Sequence, residues 1–244
     1  YDAVEDTTYS LGFNHWWGTI GYKFYPENKF INQHGFSFTS NGDRTATSNE
    51  LIQDTYQFSY KFLMRNTSTL DLIYAHEGVN LLFPFTFTDE EPLPAQLYRF
   101  NYGQFKYVTD KRREVKLTTG YSYGSFYNGI RSEFSLAVDY RVQPWGNFNL
   151  NFVQNNLEFS GNHGREQLLL LGSKAEINFS ENFFWTTFMQ YNTQNDNFNI
   201  NSRLQWRYMP MSDLFIVYSD NYIVEYFGPR NRGLVLKLNY WFNL

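Results

Sequence analysis

The stretch Leu234 to Leu244, reading Leu-Val-Leu-Lys-Leu-Asn-Tyr-Trp-Phe-Asn-Leu, decides how the chain is read. One parity holds Leu234, Leu236, Leu238, Tyr240, Phe242 and Leu244; the other holds Val235, Lys237, Asn239, Trp241 and Asn243. Side chains alternate faces along a strand, so one face is wholly apolar and the other mostly polar. A strand of a soluble sandwich alternates in the same way. Here the apolar face ends in aromatics, and the pattern recurs upstream. A transmembrane β-barrel requires that combination: lipid outside, polar groups inside, aromatic girdles at the interfaces.

Composition sharpens the contrast. Aromatic residues make up 21% of the 244, yet the mean hydropathy is −0.52. A barrel reconciles the two, because half of each strand faces lipid and half faces the interior. No run of apolar residues is long enough for a transmembrane helix. A closed barrel is the other way to satisfy backbone polar groups in hydrocarbon. The chain has no cysteine, which excludes disulfides and thiolate metal sites. Its formal net charge of −4 argues against a nucleic-acid partner.

Working upstream, the alternation marks roughly thirteen segments separated by turn chemistry. Phe198, Ile200, Leu204, Trp206 and Tyr208 oppose Asn197, Asn199, Asn201, Arg203, Gln205 and Arg207. Tyr56, Phe58, Tyr60 and Phe62 oppose Thr55, Gln57, Ser59 and Lys61. Phe134, Leu136, Val138 and Tyr140 oppose Glu133, Ser135, Asp139 and Arg141. Less regular candidates include Phe30 to Ser40, Gln96 to Thr109 and Asp213 to Phe227. Asn41 to Asn49, Thr88 to Pro94 and Gly161 to Glu166 read as the longer loops.

The fold expected is all-β: a transmembrane antiparallel up-and-down barrel with about thirteen strands in residues 1–244. An odd count is unusual for a bacterial barrel. Either Tyr1 to Tyr9 adds a strand, or the segment is the C-terminal portion of a larger barrel and does not close alone. The opening Tyr1-Asp2-Ala3 carries no initiator Met or signal peptide, so Tyr1 is expected to lie inside a longer gene product.

The region from Trp185 onward also carries a recognisable text. It includes Gln190-Tyr191-Asn192-Thr193-Gln194, Arg203-Leu204-Gln205-Trp206-Arg207-Tyr208, Met211-Ser212-Asp213-Leu214-Phe215-Ile216-Val217-Tyr218 and Lys237-Leu238-Asn239-Tyr240-Trp241-Phe242-Asn243. It resembles the C-terminal region of a Bacteroidota outer-membrane family of unknown function. Members of that family are similar in having an N-terminal domain like family-9 carbohydrate-binding modules, followed by a long barrel. The resemblance implies an outer-membrane location, no catalytic motif in this region, and a glycan-related role only through the N-terminal domain.

Candidate sites follow from the parity. Arg131, Glu133, Asp139, Arg141, Lys174, Glu176, Arg203, Arg207 and Lys237 all fall on the polar parity, where they read as a lumen-facing wall. Opposite signs side by side suggest ion pairs: Glu133 with Arg131, Asp139 with Arg141, Glu176 with Lys174. Leu234, Leu236, Leu238, Tyr240, Phe242 and Leu244 read as the lipid-facing edge of the last strand. The tryptophans read as interface anchors, Trp241 excepted because its parity points inward.

Motifs of chemistry are weaker. His15, His34, His76 and His163 sit far apart and read as rim or interface residues. His76-Glu77-Gly78-Val79-Asn80 is a broken zincin signature, lacking the second His and the helix that signature needs. Ser219-Asp220-Asn221 matches one β-lactamase motif without its partners and reads as noise. Asp89-Glu90-Glu91 reads as a solvated loop. No catalytic residue, metal site or cofactor is expected. The expected function is a non-catalytic outer-membrane barrel that anchors or assembles with envelope components. Its expected partners are outer-membrane lipid, the barrel-assembly machinery during insertion, and other outer-membrane proteins or lipoproteins. The alternatives are a diffusion channel or transporter for small solutes, and a barrel enzyme with a lipase- or protease-like rim.

Overall fold

Period-two alternation commits the backbone to ladders, and ladders account for nearly all of the regular structure. The computed structural model describes residues 12–194, 196–224 and 228–242. It is an all-β, antiparallel, up-and-down sheet of 13 strands in the order β1 to β13, each paired with its neighbour in sequence. They are β1 (Phe13–Phe24), β2 (Ile31–Thr45), β3 (Leu51–Met64), β4 (Thr69–Asn80), β5 (Leu97–Val108), β6 (Val115–Phe126) and β7 (Gly129–Val142). Then come β8 (Gly146–Phe159), β9 (Arg165–Ser180), β10 (Phe183–Asn192), β11 (Asn197–Met209), β12 (Ser212–Ile223) and β13 (Gly228–Asn239). Among the described residues there is no helix. β1 and β13 end the order and do not pair with each other, so the sheet is not closed.

Three boundaries differ from the sequence reading. β2 continues through Asn41-Gly42-Asp43-Arg44 to Thr45, where a loop was expected. Those residues are polar on both parities, but β1 and β3 pair with them on both sides. β13 begins at Gly228, six residues before Leu234, because Asn231 and Arg232 are held opposite Asn221 and Asp220. It also ends at Asn239, so Tyr240 and Phe242 follow the strand instead of belonging to it. Leu244 and Tyr1 to Tyr9 lie outside the described residues.

The chain divides into two units, Tyr1–Asp110 with Gly120–Phe134 and Asn155–Gln167, and Lys111–Thr119 with Ser135–Gln154 and Leu168–Leu244. In the first, register carries the two-face pattern from strand to strand. Ile20, Phe38, Phe58 and Tyr74 form one cross-strand row. Tyr22, Phe36, Tyr60, Leu72 and Phe105 form the next, followed by Phe24, His34, Phe62, Leu70 and Tyr107. Directly opposed residues share a face, so these rows make one apolar surface. Stacked neighbours such as Phe36 and Phe58, with ring centroids 6.4 Å apart, tie adjacent strands together. The other face carries Thr19, Thr39, Gln57 and Ala75 in one row and Lys23, Gly35, Lys61, Asp71 and Lys106 in another.

The second unit repeats the scheme. Ile177, Trp185, Leu204, Ile216 and Leu236 form an apolar row beside Phe183, Trp206, Leu214 and Leu238. On the opposite face lie Glu176, Thr186, Arg203, Val217 and Val235, then Asn178, Phe184, Gln205, Phe215 and Lys237.

Close strand approach makes glycine specific at several positions, Gly129 among them. A Cβ on Gly129, the first residue of β7, would sit 2.1 Å from the Glu158 carbonyl oxygen, whereas one on Gly18 would meet nothing within 4 Å. Gly129→Ala should lower stability by about 1–3 kcal/mol through overpacking, while Gly18→Ala should be neutral or slightly stabilising. Urea midpoints of the refolded chain check this, and equal midpoints for the two variants would show that the β7–β8 approach is looser than described.

Candidate functional site

The segment 81–96, between β4 and β5, is the longest connection among the described residues. It carries three of the chain's 7 prolines, Pro84, Pro92 and Pro94, which lack the N–H that a ladder needs. Of its apolar side chains, Phe87 is half-buried and Phe85 stays half exposed. Phe85 and Leu93 exchange backbone bonds of 3.0 and 2.7 Å, folding the segment back on itself. Leu93 is buried, with 2% exposure.

The segment packs onto the face of β5 that carries Tyr98, Phe100 and Tyr102. Tyr98 donates its hydroxyl to the Pro94 carbonyl at 2.9 Å. Phe87 lies 5.3 Å from Phe126, 5.1 Å from Tyr127 and 5.4 Å from Phe159. Phe100 contacts Phe126 and Tyr127 as well, closing an aromatic cluster. Register puts Tyr98, Phe100 and Tyr102 opposite Val79, Glu77 and Ala75. That is the polar-parity face, so the segment covers part of the wall that elsewhere carries Thr, Gln and charged residues.

The far side of the segment is fastened to the β8–β9 connection. Thr88 donates Oγ1 to the His163 carbonyl at 2.6 Å, and the Glu91 amide reaches the Asn162 carbonyl at 3.3 Å. His163 Nδ1 donates back to the Glu91 carbonyl at 2.8 Å. Gly164 has φ +76, and a Cβ there would lie 2.7 Å from Glu90 Cγ. Glycine is therefore needed twice over at that position. Asp89, Glu90 and Glu91 are exposed, as the solvated-loop reading has them, while the backbone of the segment is docked as a strap.

Beside the cluster, Tyr102 donates to Glu77 Oε1 at 2.8 Å. The Arg131 guanidinium lies 5.6 Å from the Tyr102 ring centre and 4.7 Å from that of Phe126. Arg131 is thus held by aromatic faces and not by Glu133, its expected partner. Burial, followed by the Glu77 carboxylate, pushes the Tyr127 hydroxyl above its usual range.

The second unit brings Lys174, Glu176, Arg203, Arg207 and Lys237 onto one face, as the register shows. Lys174 pairs with Glu176 at 2.6 Å, as expected. Asp139 does not pair with Arg141. It takes Lys116 Nζ at 2.7 Å and Asn149 Nδ2 at 2.7 Å, and Arg141 donates to the Lys111 carbonyl at 2.5 Å. Lys116 belongs to the neighbouring strand β6, and a cross-strand neighbour can compete with the residue two positions along the same strand. Arg207 finds Asp213 on β12 at 3.3 Å. Of these groups, Arg141, Glu176, Arg203 and Arg207 border a recess of about 500 Å³.

The sequence reading missed the charges on the apolar face. Asp220 shares the parity of Ile216 and Leu214, faces Arg232 across the ladder, and accepts Arg232 Nε at 2.7 Å. Its side chain is fully buried. Tyr218 also donates to Asp220, at 2.5 Å, and Arg232 reaches the Tyr222 hydroxyl at 3.2 Å. Asp54, opposite Gly78 and buried, lies 3.7 Å from Arg99 on the corresponding face of the first unit. A charged residue on an otherwise apolar parity was the available signal. Ser219-Asp220-Asn221 was set aside as noise, and its central residue is the most buried carboxylate in any ion pair described.

The histidines are not brought together in any cluster of three metal-ligating side chains among the described residues. His15 meets Asp43 at 2.8 Å, His34 meets Tyr60 at 2.6 Å and His76 meets Asn101 at 2.7 Å. His76 and Asn80 lie on strand β4, where four residues span about 13 Å, too far to share a metal as the ends of a helical turn do. Among the described residues, no hydroxyl stands within hydrogen-bond distance of the second ring nitrogen of His15.

No family model matches the chain, and no curated protein or solved structure matches it.

If Leu93 is the pin of segment 81–96, Leu93→Ala should cost about 2–5 kcal/mol of local packing and free the segment without dissolving the sheet. Limited proteolysis should then cut within 81–96 many-fold faster, at unchanged far-UV circular dichroism. Cleavage no faster than in the parent chain would mean that the prolines alone hold the fold-back.

Proposed function

We propose that this chain is part of the wall of a bacterial outer-membrane β-barrel, without catalysis of its own, which anchors or assembles with other envelope components. One observation carries the reading: each unit has an apolar face that is left uncovered. On β13, Leu234, Leu236 and Leu238 are 72%, 69% and 64% exposed. Ile20, Phe38, Phe58 and Tyr74 form an uncovered row on β1 to β4. Each large apolar side chain moved from water into hydrocarbon contributes about 1.5–3 kcal/mol. Patches of this extent in water mark an interaction or membrane surface. The rows on this face from Gly18–Ser40–Tyr56 to Phe24–His34–Phe62 run over residues 18–24 of β1, six steps. That is about 20 Å along a strand, close to the roughly 25 Å apolar band of outer-membrane barrels.

The ends of the strand order bear on closure. In an up-and-down succession, strands of odd number all run the same way. β1 and β13 would therefore meet as parallel neighbours. A wall closed by antiparallel pairing needs a further strand or an odd number of them. In hydrocarbon an unpaired edge costs several kcal/mol for each unsatisfied group. The resemblance of the C-terminal region to a Bacteroidota outer-membrane family points the same way, and any glycan-related partner would come through that family's N-terminal domain.

Coverage of the polar face by segment 81–96 supports the anchoring reading over free diffusion through the first unit's share of the wall. The charged recess of the second unit is the observation that favours the second reading, a channel or transporter for small solutes.

Facing is tested on one strand. Leu236→Asp puts a charge on the apolar face, at about 2–4 kcal/mol or less, depending on depth. Lys237→Asp changes a charge on the polar face. We expect Leu236→Asp to abolish heat-modifiable gel mobility and membrane recovery, and Lys237→Asp to leave both intact. Equal tolerance would sink the membrane reading.

A further inference from the structure

We infer that the recess on the polar face of the second unit is a binding site for an oxyanion, a carboxylate or phosphate carried by a small water-soluble solute. Three guanidinium groups border it, those of Arg141, Arg203 and Arg207, against one carboxylate, Glu176. That carboxylate is already engaged by Lys174 at 2.6 Å. Arg207 is engaged by Asp213 at 3.3 Å. Arg141 donates only to backbone carbonyls, of Lys111 and Arg113 at 2.5 and 3.4 Å, which satisfy N–H groups without cancelling charge. Arg203 makes no hydrogen bond or ion pair among the described residues. Each of these two cations acts on a carboxylate only at longer range, Arg203 on Glu176 and Arg141 on Asp139, and those carboxylates are already paired with Lys174 and Lys116.

The ladder explains why Arg203 is left in this state. It stands directly opposite Thr186 on one side and Val217 on the other. Neither offers a charge, and Glu176 lies one strand further, opposite Thr186. The recess of about 500 Å³ has room for a small organic anion. A guanidinium presents two parallel N–H groups that match two oxygens of one anion. Thr186 can add a hydroxyl donor. Gln205 is already bound through Nε2 to Asp213 at 3.1 Å, which leaves its carbonyl oxygen to accept from a hydroxyl of the solute. The site lies on the face opposite Leu204, Ile216 and Leu236, so a lipid headgroup arriving with its acyl chains on the apolar face would not enter it.

The inference is independent of the membrane reading, because the recess belongs to the second unit alone. Anion binding with failed membrane recovery would leave it standing, and membrane recovery without anion binding would leave only the other. The test is calorimetric titration of the whole refolded chain in a zwitterionic detergent at low salt, with inorganic phosphate, citrate and glucose. Phosphate and citrate should bind saturably and glucose should not. Arg203→Gln should weaken anion binding about ten-fold or more, as loss of a charge-assisted contact does. Arg203→Lys, which keeps the charge and loses the fork, should fall between. Arg131→Gln, on the aromatic cluster of the first unit, should change nothing. Circular dichroism checks that each variant folds. If Arg203→Gln does not fold, the wild-type titration and Arg203→Lys decide. Absence of saturable binding by either anion, binding of glucose as tight as citrate, or unchanged affinity in a folded Arg203 variant would overturn the assignment.

Discussion

Every strand must pass its backbone N–H and C=O groups to neighbours on both sides, and the rest of the structure depends on that requirement. Pairing fixes register, and register fixes which side chains stand shoulder to shoulder. Ile20, Phe38, Phe58 and Tyr74 come from separate strands, yet form one surface because each is opposed to the next. A slip of one residue in any ladder would invert that strand and expose the wrong face. The aromatic rows act against such slips, since Phe36 on Phe58 and His34 on Phe62 reward a single alignment. The polar face contributes in the same way through directly opposed pairs such as Lys61 with Asp71.

The same requirement explains what could be read from the sequence. Parity is local: Phe58, Tyr60 and Phe62 alternate with Gln57, Ser59 and Lys61 whatever lies next to them. The strands and their faces were therefore legible, including the single face shared by Lys174, Glu176, Arg203, Arg207 and Lys237. Partner choice is not local. Asp139 was assigned to Arg141 along its own strand, but the closer cation is Lys116 on the neighbouring strand. The ends of β2 and β13 were hidden for the same reason. Asn41 to Arg44 read as part of a loop, and Asn231 to Gly233 fall outside the strand read from Leu234, until ladders on adjacent strands hold them. Segment 81–96 has no period at all, and its burial rests on residues far along the chain.

The two faces also differ in how they treat charge. On the polar side, ion pairs such as Lys174 with Glu176 remain substantially exposed and contribute little on their own. On the apolar side, Asp220 with Arg232 and Asp54 with Arg99 involve buried carboxylates. Removing one partner there leaves a buried charge, which costs far more than the pair itself contributes. Few charges interrupt the apolar rows, and those two carboxylates each face an arginine.

The strap formed by 81–96 has a consequence for the order of events during synthesis. Its fastening bonds join residues 75 and 72 positions apart, Thr88 to His163 and Glu91 to His163. Its aromatic partner Phe159 is equally late. Phe87 thus emerges well before Phe159 and the β8–β9 connection exist, and it must wait without part of its packing. Contacts of such long sequence separation form slowly. During that interval the segment is the kind of exposed apolar stretch that chaperones bind and that misassembles when they do not.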